Sequence, residues 1–196
     1  MILITTLLLF TTITGSGIVD QPVTEQEQVE EVKQIEEDNT VPQSVRWTGK
    51  NFNENETRTL EFLQDQGITD KMALAVIMGN IRQESTFHPN ICEGGKRVSY
   101  QYCSRGGYGI VQWTTSGRYW GLGAHAKKIN GDPSSLDTQL SYMVTETEWK
   151  RAKKMFVTPD KSLDYYMKAA DIWLGWGIYG NRGYYSQQYF DSLSMT

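Results

Sequence analysis

The hydrophobic pattern of the chain predicts a mainly helical domain. Every residue from Met72 to Met78 is apolar, and a helix that is apolar on all sides belongs at the centre of a domain. We therefore predict a central helix that begins at a Thr69 or Asp70 cap and runs to Glu84. Helical spacing predicts five further helices. They lie within residues 53–67, 116–131, 134–155, 162–176 and 184–193.

One region of the chain, residues 91–113, lacks the helical pattern. Between the second and third predicted helices, residues 91–113 are rich in glycine and polar residues. We predict a small hairpin or an extended segment there. Within residues 134–155, Ser134 stands three residues before Asp137 and predicts a helix start.

The N-terminal part of the chain differs in composition from the rest. Residues 1–19 hold an apolar stretch followed by Gly15, Ser16 and Gly17, which predicts a signal peptide or an uncleaved N-terminal anchor. Between Asp20 and Thr40 the chain has eight acidic residues, one lysine and no aromatic residue. We interpret residues 20–45 as an acidic disordered linker and residues 46–196 as one globular domain.

Because the linker is acidic, the net charge of the whole chain differs in sign from that of the domain. The whole chain has a net charge of −4, but residues 41–196 hold 18 of the 19 basic and 15 of the 23 acidic residues, a net charge of +3. This charge suits an anionic polymer such as bacterial cell wall. It is too small to indicate nucleic acid binding.

The cysteine and histidine residues favour a structural role over metal binding. Cys92 and Cys103 are the only cysteines and lie in one polar loop. A disulfide across a short hairpin is favoured over two free thiols and would indicate an oxidising compartment. His88 and His125 lack the spacing of a metal pair, so we predict no metal site and no cofactor.

Glu84 is the first candidate for chemistry. Asn80, Ile77 and Ala73 precede Glu84 at helical spacing, so all four residues lie on one face of the helix. We expect this face to be buried, and Glu84 lies at its end. A carboxyl group against an apolar wall favours its neutral form and can deliver a proton to a leaving oxygen. Pro89 disfavours helix at His88, which would leave Glu84 near an opening. The alternative is an ordinary helix-terminal acid paired with Arg82 or a nearby lysine.

The second candidate is the segment GGYGIVQWTTSGR, residues 106–118. Its glycines allow the backbone to approach a ligand closely. Gln112 offers an amide group, and Tyr108 and Trp113 offer rings on which a sugar can stack. The alternative is a glycine-rich turn that leads into a core strand.

Together, IMGNIRQESTFHPN and GYGIVQWTTSGR resemble the phage tail lysozyme family, over roughly residues 55–193. More loosely, Glu84-Ser85 and the later Gly109-x-x-Gln112 are similar to lytic transglycosylases. The resemblance implies an α+β lysozyme-like fold in which the region around residues 91–113 lines a cleft. It also implies cleavage of the β-1,4 bond between N-acetylmuramic acid and N-acetylglucosamine in peptidoglycan.

The resemblance also implies roles for individual residues. Glu84 would be the catalytic acid, and the substrate-binding residues would be Tyr108, Gly109, Gln112, Trp113, Tyr179 and Asn181. The segment from Cys92 to Cys103 would be an insertion at the mouth of the cleft. The implied partners are peptidoglycan and other virion tail proteins, with no nucleic acid and with membrane contact only through an uncleaved residue 1–19 segment.

The sequence leaves the reaction type open. A hydrolytic glycosidase needs a second carboxylate, and Glu93, Asp132, Asp137 and Glu146 are all candidates. A lytic transglycosylase would use Glu84 alone. A third hypothesis is a catalytically inactive wall-binding or virion structural protein. The expected location is extracytoplasmic: virion-associated, secreted or tethered at the bacterial envelope, in a phage or a bacterium.

Overall fold

The computed structural model of the protein describes residues 46–104 and 106–196, so the predictions for residues 1–45 lie outside the described residues. The described part is mainly helical. Its helices are α1 (Glu54–Asp65), α2 (Lys71–Ser85), α3 (Ser116–Ile129), α4 (Leu136–Met143), α5 (Thr147–Phe156), α6 (Leu163–Leu174) and α7 (Arg182–Ser192). Its strands are β1 (Trp47–Gly49), β2 (Ile91–Cys92), β3 (Lys96–Arg97) and β4 (Leu193–Met195), and a 3₁₀ turn spans Tyr100–Tyr102. None of these helices is long and apolar enough to span a lipid bilayer.

Helix α2 forms the centre of the domain, as predicted. The Asp70 side chain caps it by accepting a hydrogen bond from the Ala73 amide at 2.9 Å, and nine consecutive residues from Ala73 to Ile81 are buried. Helices α6 and α7 pack against it. A Cβ atom on Gly79 would lie 2.5 Å from the Ser186 amide nitrogen. The absence of a side chain at Gly79 therefore lets α7 approach α2 closely.

The predicted hairpin is present and is small. Strands β2 and β3 pair antiparallel, with Ile91 opposite Arg97 and Cys92 opposite Lys96. Cys92 also forms a bridge with Tyr108, which joins the hairpin to the glycine-rich segment. The mainly helical fold with a short extended region at residues 91–113 is thereby confirmed.

The long helix predicted within residues 134–155 is wrong, because the segment forms two helices, α4 and α5. The break falls at Glu146, which is buried and precedes the first residue of α5. Its carboxylate accepts hydrogen bonds from Trp113 and Arg118, so tertiary contacts turn the chain inward there. Helix α4 is capped by Ser135 and not by Ser134.

The sequence pattern also missed the pairing of the two ends of the domain. Strands β1 and β4 are antiparallel, with Trp47 opposite Met195 and Gly49 opposite Leu193. Each strand has three residues, which is too short for an alternating pattern to be recognised. This strand pair forms a sheet of its own, separate from the predicted hairpin.

Candidate active site

Glu84 lies where α2 ends abruptly. The helix stops at Ser85, and the next two residues, Thr86 and Phe87, have φ angles of 50° and 60°. This left-handed conformation is uncommon for residues other than glycine. Burial of the Phe87 ring, 1% exposed, holds the turn in place. The chain therefore leaves the helix one residue after Glu84, whose side chain is 17% exposed.

The closest partner of Glu84 is an arginine from α7. Nη2 of Arg182 donates a hydrogen bond to Oε1 of Glu84 at 2.5 Å. The Arg182 side chain is only 6% exposed. Its Nη1 lies 3.3 Å from Oδ1 of Asn80, and its Cζ lies 4.6 Å from the centre of the Trp176 ring. The carboxylate of Glu84 is thus held by a buried guanidinium and does not face an apolar wall alone.

Ser85 joins Glu84 to the glycine-rich segment. Its hydroxyl donates to the carbonyl oxygen of Ile110 at 2.8 Å and accepts from the Phe87 amide at 3.1 Å. The buried Gln139 accepts from the Ile110 amide at 2.9 Å and donates to the Pro89 carbonyl at 2.7 Å. These bonds fix the two sequence motifs against each other.

Glu84 opens into a cleft of about 710 Å³. Among the described residues, four charged side chains line this cleft: Glu84, Glu93, Arg118 and Arg182. The other lining residues include Gln83, Val111, Gln112, Thr114, Thr115 and the segment from Leu174 to Ile178. The cleft therefore brings two carboxylates and two guanidinium groups to one surface.

Glu93 is held in the cleft by the backbone of the glycine-rich segment. The Gly107 amide donates to Oε2 of Glu93 at 3.2 Å, and the Glu93 amide donates to the Gly107 carbonyl at 2.8 Å. Gly106 has φ +63°, and a Cβ atom there would lie 1.2 Å from Oε2 of Glu93. A side chain at position 106 would therefore displace this carboxylate, which is otherwise exposed to solvent.

The three other candidate acids have structural partners. Asp132 accepts a hydrogen bond from the Ser134 amide at 2.8 Å, and Asp137 forms an exposed ion pair with Arg58 at 2.8 Å. Glu146 is only 7% exposed. Both of its oxygens accept hydrogen bonds from Arg118, at 2.7 and 2.9 Å. Of the four candidates, Glu93 alone lines the cleft.

Three of the residues predicted to contact a sugar lie in the core instead. Tyr108 and Trp113 are both 0% exposed, so neither ring presents a face to the cleft. The Tyr108 hydroxyl is 2.9 Å from Ser134, and Nε1 of Trp113 donates to Glu146 at 3.0 Å. Gly109 is also buried, and a Cβ atom there would lie 2.5 Å from the Gln139 side chain.

Gln112 is the one residue of this segment's predicted set that lines the cleft. Its φ angle is 51°. Its side-chain amide nitrogen donates to the Gly109 carbonyl at 3.0 Å. The side chain therefore stabilises the turn between Gly109 and Gln112 and also lines the cleft.

In the C-terminal stretch, residues 173–183, the cleft is lined by neighbours of the predicted residues and not by Tyr179 or Asn181 themselves. Tyr179 is 51% exposed and packs its ring against Trp176 at a centroid distance of 6.4 Å. Asn181 is exposed and precedes the first residue of α7. The residues of this stretch that line the cleft are instead Leu174, Trp176, Ile178 and Arg182, with Gly175, Gly177 and Gly180. Arg182 is the only charged residue between Asp171 and Asp191, a sequence signal that would have identified it.

The predicted disulfide is present between Cys92 and Cys103, with their Cα atoms 5.5 Å apart. Cys92 directly precedes Glu93, so the bond restrains the backbone that carries this carboxylate. Closing a loop of this length contributes about 3 kcal/mol to stability by the chain-entropy estimate. Within the described residues, no cluster of side chains has the composition of a metal site.

Comparison with known proteins identifies the family of the chain. No curated protein matches the chain. The family model of the phage tail lysozyme matches residues 54–191, which include α1 to α6 and nearly all of α7. The match covers more than half of the chain, so the protein belongs to the phage tail lysozyme family.

Proposed function

We propose that this protein hydrolyses the β-1,4 bond between N-acetylmuramic acid and N-acetylglucosamine in peptidoglycan, with Glu84 as the general acid and Glu93 as the second carboxylate. The observation that carries the proposal is that these two carboxylates line one cleft. Family membership supports the general class, a lysozyme-like enzyme that degrades peptidoglycan.

The structure shows Glu84 as the ion-pair partner of Arg182, so the acid step requires that Glu84 first takes up a proton from solvent. When Glu84 gives its proton to the leaving sugar oxygen, its carboxyl group becomes negatively charged. The guanidinium of Arg182, 2.5 Å away, stabilises that charge as it forms. Asn80 and Trp176 hold the guanidinium from two other sides, so little rearrangement is needed at the moment of proton transfer.

Glu93 supports hydrolysis over the lytic transglycosylase reaction. Hydrolysis by two carboxylates requires one that activates water or attacks the sugar directly. Glu93 is exposed to solvent and oriented by the Gly107 amide. We assign it the activation of the attacking water. A lytic transglycosylase would have no need of this carboxylate.

The same reasoning supports a place of action outside the cytoplasm. A phage tail lysozyme acts on the bacterial cell wall, and the disulfide between Cys92 and Cys103 persists in an oxidising environment. We propose that the protein is carried by the virion tail, where other tail proteins would be its partners.

The test is cleavage of purified peptidoglycan by the full chain and its Glu84→Gln variant. Glutamine keeps the shape of the side chain but has no proton to donate as an acid, so we expect a rate loss of about 1,000-fold, within the range for a general acid. Glu148→Gln, an exposed acid on α5, is the matched control and should keep the wild-type rate.

Two results would contradict the proposal. One is a Glu84→Gln variant that cleaves at the rate of the control. The other is a wild-type protein that pellets with the cell wall yet releases no fragments, which would indicate a wall-binding or structural protein.

A further inference from the structure

We propose that a second groove, next to the cleft, binds an N-acetylhexosamine unit of the glycan strand beyond the units at the cleavage site. This aromatic groove is formed by Tyr100, Gln101, Cys103, Ser104, Gly106, Thr114, Ser116, Tyr119 and Trp120, and has a volume of about 500 Å³. The inference rests on the proposed function, because it takes the occupant of the groove to be the strand that the cleft cleaves.

The aromatic groove adjoins the cleft. Thr114 lines both. Thr115 lines the cleft and Ser116 lines the groove, so the start of α3 forms the ridge between them. On the other wall, Gly106 lines the groove while its backbone packs against the carboxylate of Glu93 in the cleft. We take Thr114 as the point at which a linear polymer in the cleft would continue into the groove.

The chemistry of the aromatic groove suits a neutral sugar. Trp120 is 67% exposed and offers an open ring on which the apolar face of a sugar can stack. Gln101, Ser104 and Ser116 are exposed polar side chains that can bond to sugar hydroxyl and N-acetyl groups. An aromatic surface with a few polar groups around it is typical of sites for small uncharged ligands.

Ring contacts and hydrogen bonds hold the aromatic side chains of the groove in place. The Tyr100 and Tyr119 rings stack with centroids 4.3 Å apart. Each hydroxyl donates to the other residue's carbonyl oxygen, at 2.8 and 2.6 Å. The Trp120 ring packs edge-on against Tyr119 at 5.5 Å, and the disulfide holds Cys103 in the opposite wall. A preformed site loses less entropy on binding than a mobile one.

The experiment measures binding of β-1,4-linked N-acetylglucosamine oligomers of increasing length by titration calorimetry. The full chain carrying Glu84→Gln is used so that the oligomers stay intact, and mass spectrometry of the mixture checks that they do. We expect affinity to rise when the oligomer becomes long enough to reach the groove. Trp120→Ala should reduce the affinity ratio of long to short oligomers by about tenfold, the effect of losing about 50 Å² of apolar contact.

Two further variants separate stacking from general surface effects. Trp120→Phe keeps a ring and should retain most of the length-dependent gain. Tyr184→Ala removes an aromatic residue that is 63% exposed on α7 and should leave the ratio at its wild-type value. Circular dichroism of each variant checks that it is folded.

The outcomes distinguish this inference from the proposed function. A Trp120→Ala variant with the wild-type ratio, or a gain that appears only when a stem peptide is attached, overturns the groove as a sugar site. Wild-type cleavage of peptidoglycan is measured in parallel. Its absence would overturn the proposed function, while the oligomer titrations would still decide whether the groove binds sugar.

Discussion

The cleft and the aromatic groove are neighbours with opposite chemistry. The cleft is lined by Glu84, Glu93, Arg118 and Arg182, whereas the described lining of the groove is uncharged and contains three aromatic rings. The two share Thr114. Among the described residues, charges are thus concentrated where a bond would be broken, and aromatic rings lie where a strand would only be held. Under the two proposals above, this difference would separate catalysis from binding.

The two regions are also held in place by different interactions. The cleft depends on the close packing of α7 on α2, which Gly79 permits, and on the ion pair between Arg182 and Glu84. The groove depends on the reciprocal bonds between Tyr100 and Tyr119. Since these supports do not overlap, substitutions can disturb one region while the other is preserved.

Arg182→Met should break the cleft with the largest effect. It removes the partner of Glu84 and leaves a mostly buried carboxylate unpaired, which costs about 3 kcal/mol of unfolding free energy. Loss of orientation at the reacting group should reduce the cleavage rate by about 100-fold. Thermal unfolding and peptidoglycan cleavage measure the two effects. Arg151→Met, an exposed arginine on α5, is the control, and equal losses in both variants would contradict the assigned role.

Gly106→Ala should have a smaller effect, confined to Glu93. The new methyl group would occupy the position of Oε2 of Glu93, so the carboxylate must move and cleavage should fall by about tenfold. Gly67→Ala introduces the same kind of backbone strain, at φ +82° with no atom within 4 Å of the added Cβ. If both variants cleave equally well, the position of Glu93 does not matter to the reaction.

Much of the fold could be predicted because its signals are local. Apolar periodicity and the Asp70 cap identified α2, and Pro89 indicated where it ends. The division between α4 and α5 could not be predicted, because it depends on the bonds of Glu146 to Trp113 and Arg118. The paired strands β1 and β4 also escaped prediction, since three residues carry no recognisable pattern.

The candidate site was predictable in part. Glu84 and Gln112 line the cleft, and Glu93 was one of four candidate acids. Tyr108 and Trp113 were misplaced because composition cannot tell an aromatic residue that lines a cleft from one that is 0% exposed in the core. Arg182 was missed because its partner, Glu84, lies 98 residues earlier in the chain.

Mass spectrometry of the fragments that the full chain releases from purified peptidoglycan tests the central claim most directly. A two-carboxylate hydrolysis predicts N-acetylmuramic acid with ordinary reducing ends, and a strong loss of those fragments in the Glu93→Gln variant. Fragments lighter by one water, with anhydro-muramic ends and undiminished by Glu93→Gln, would contradict the claim. They would show that Glu84 acts without a second carboxylate.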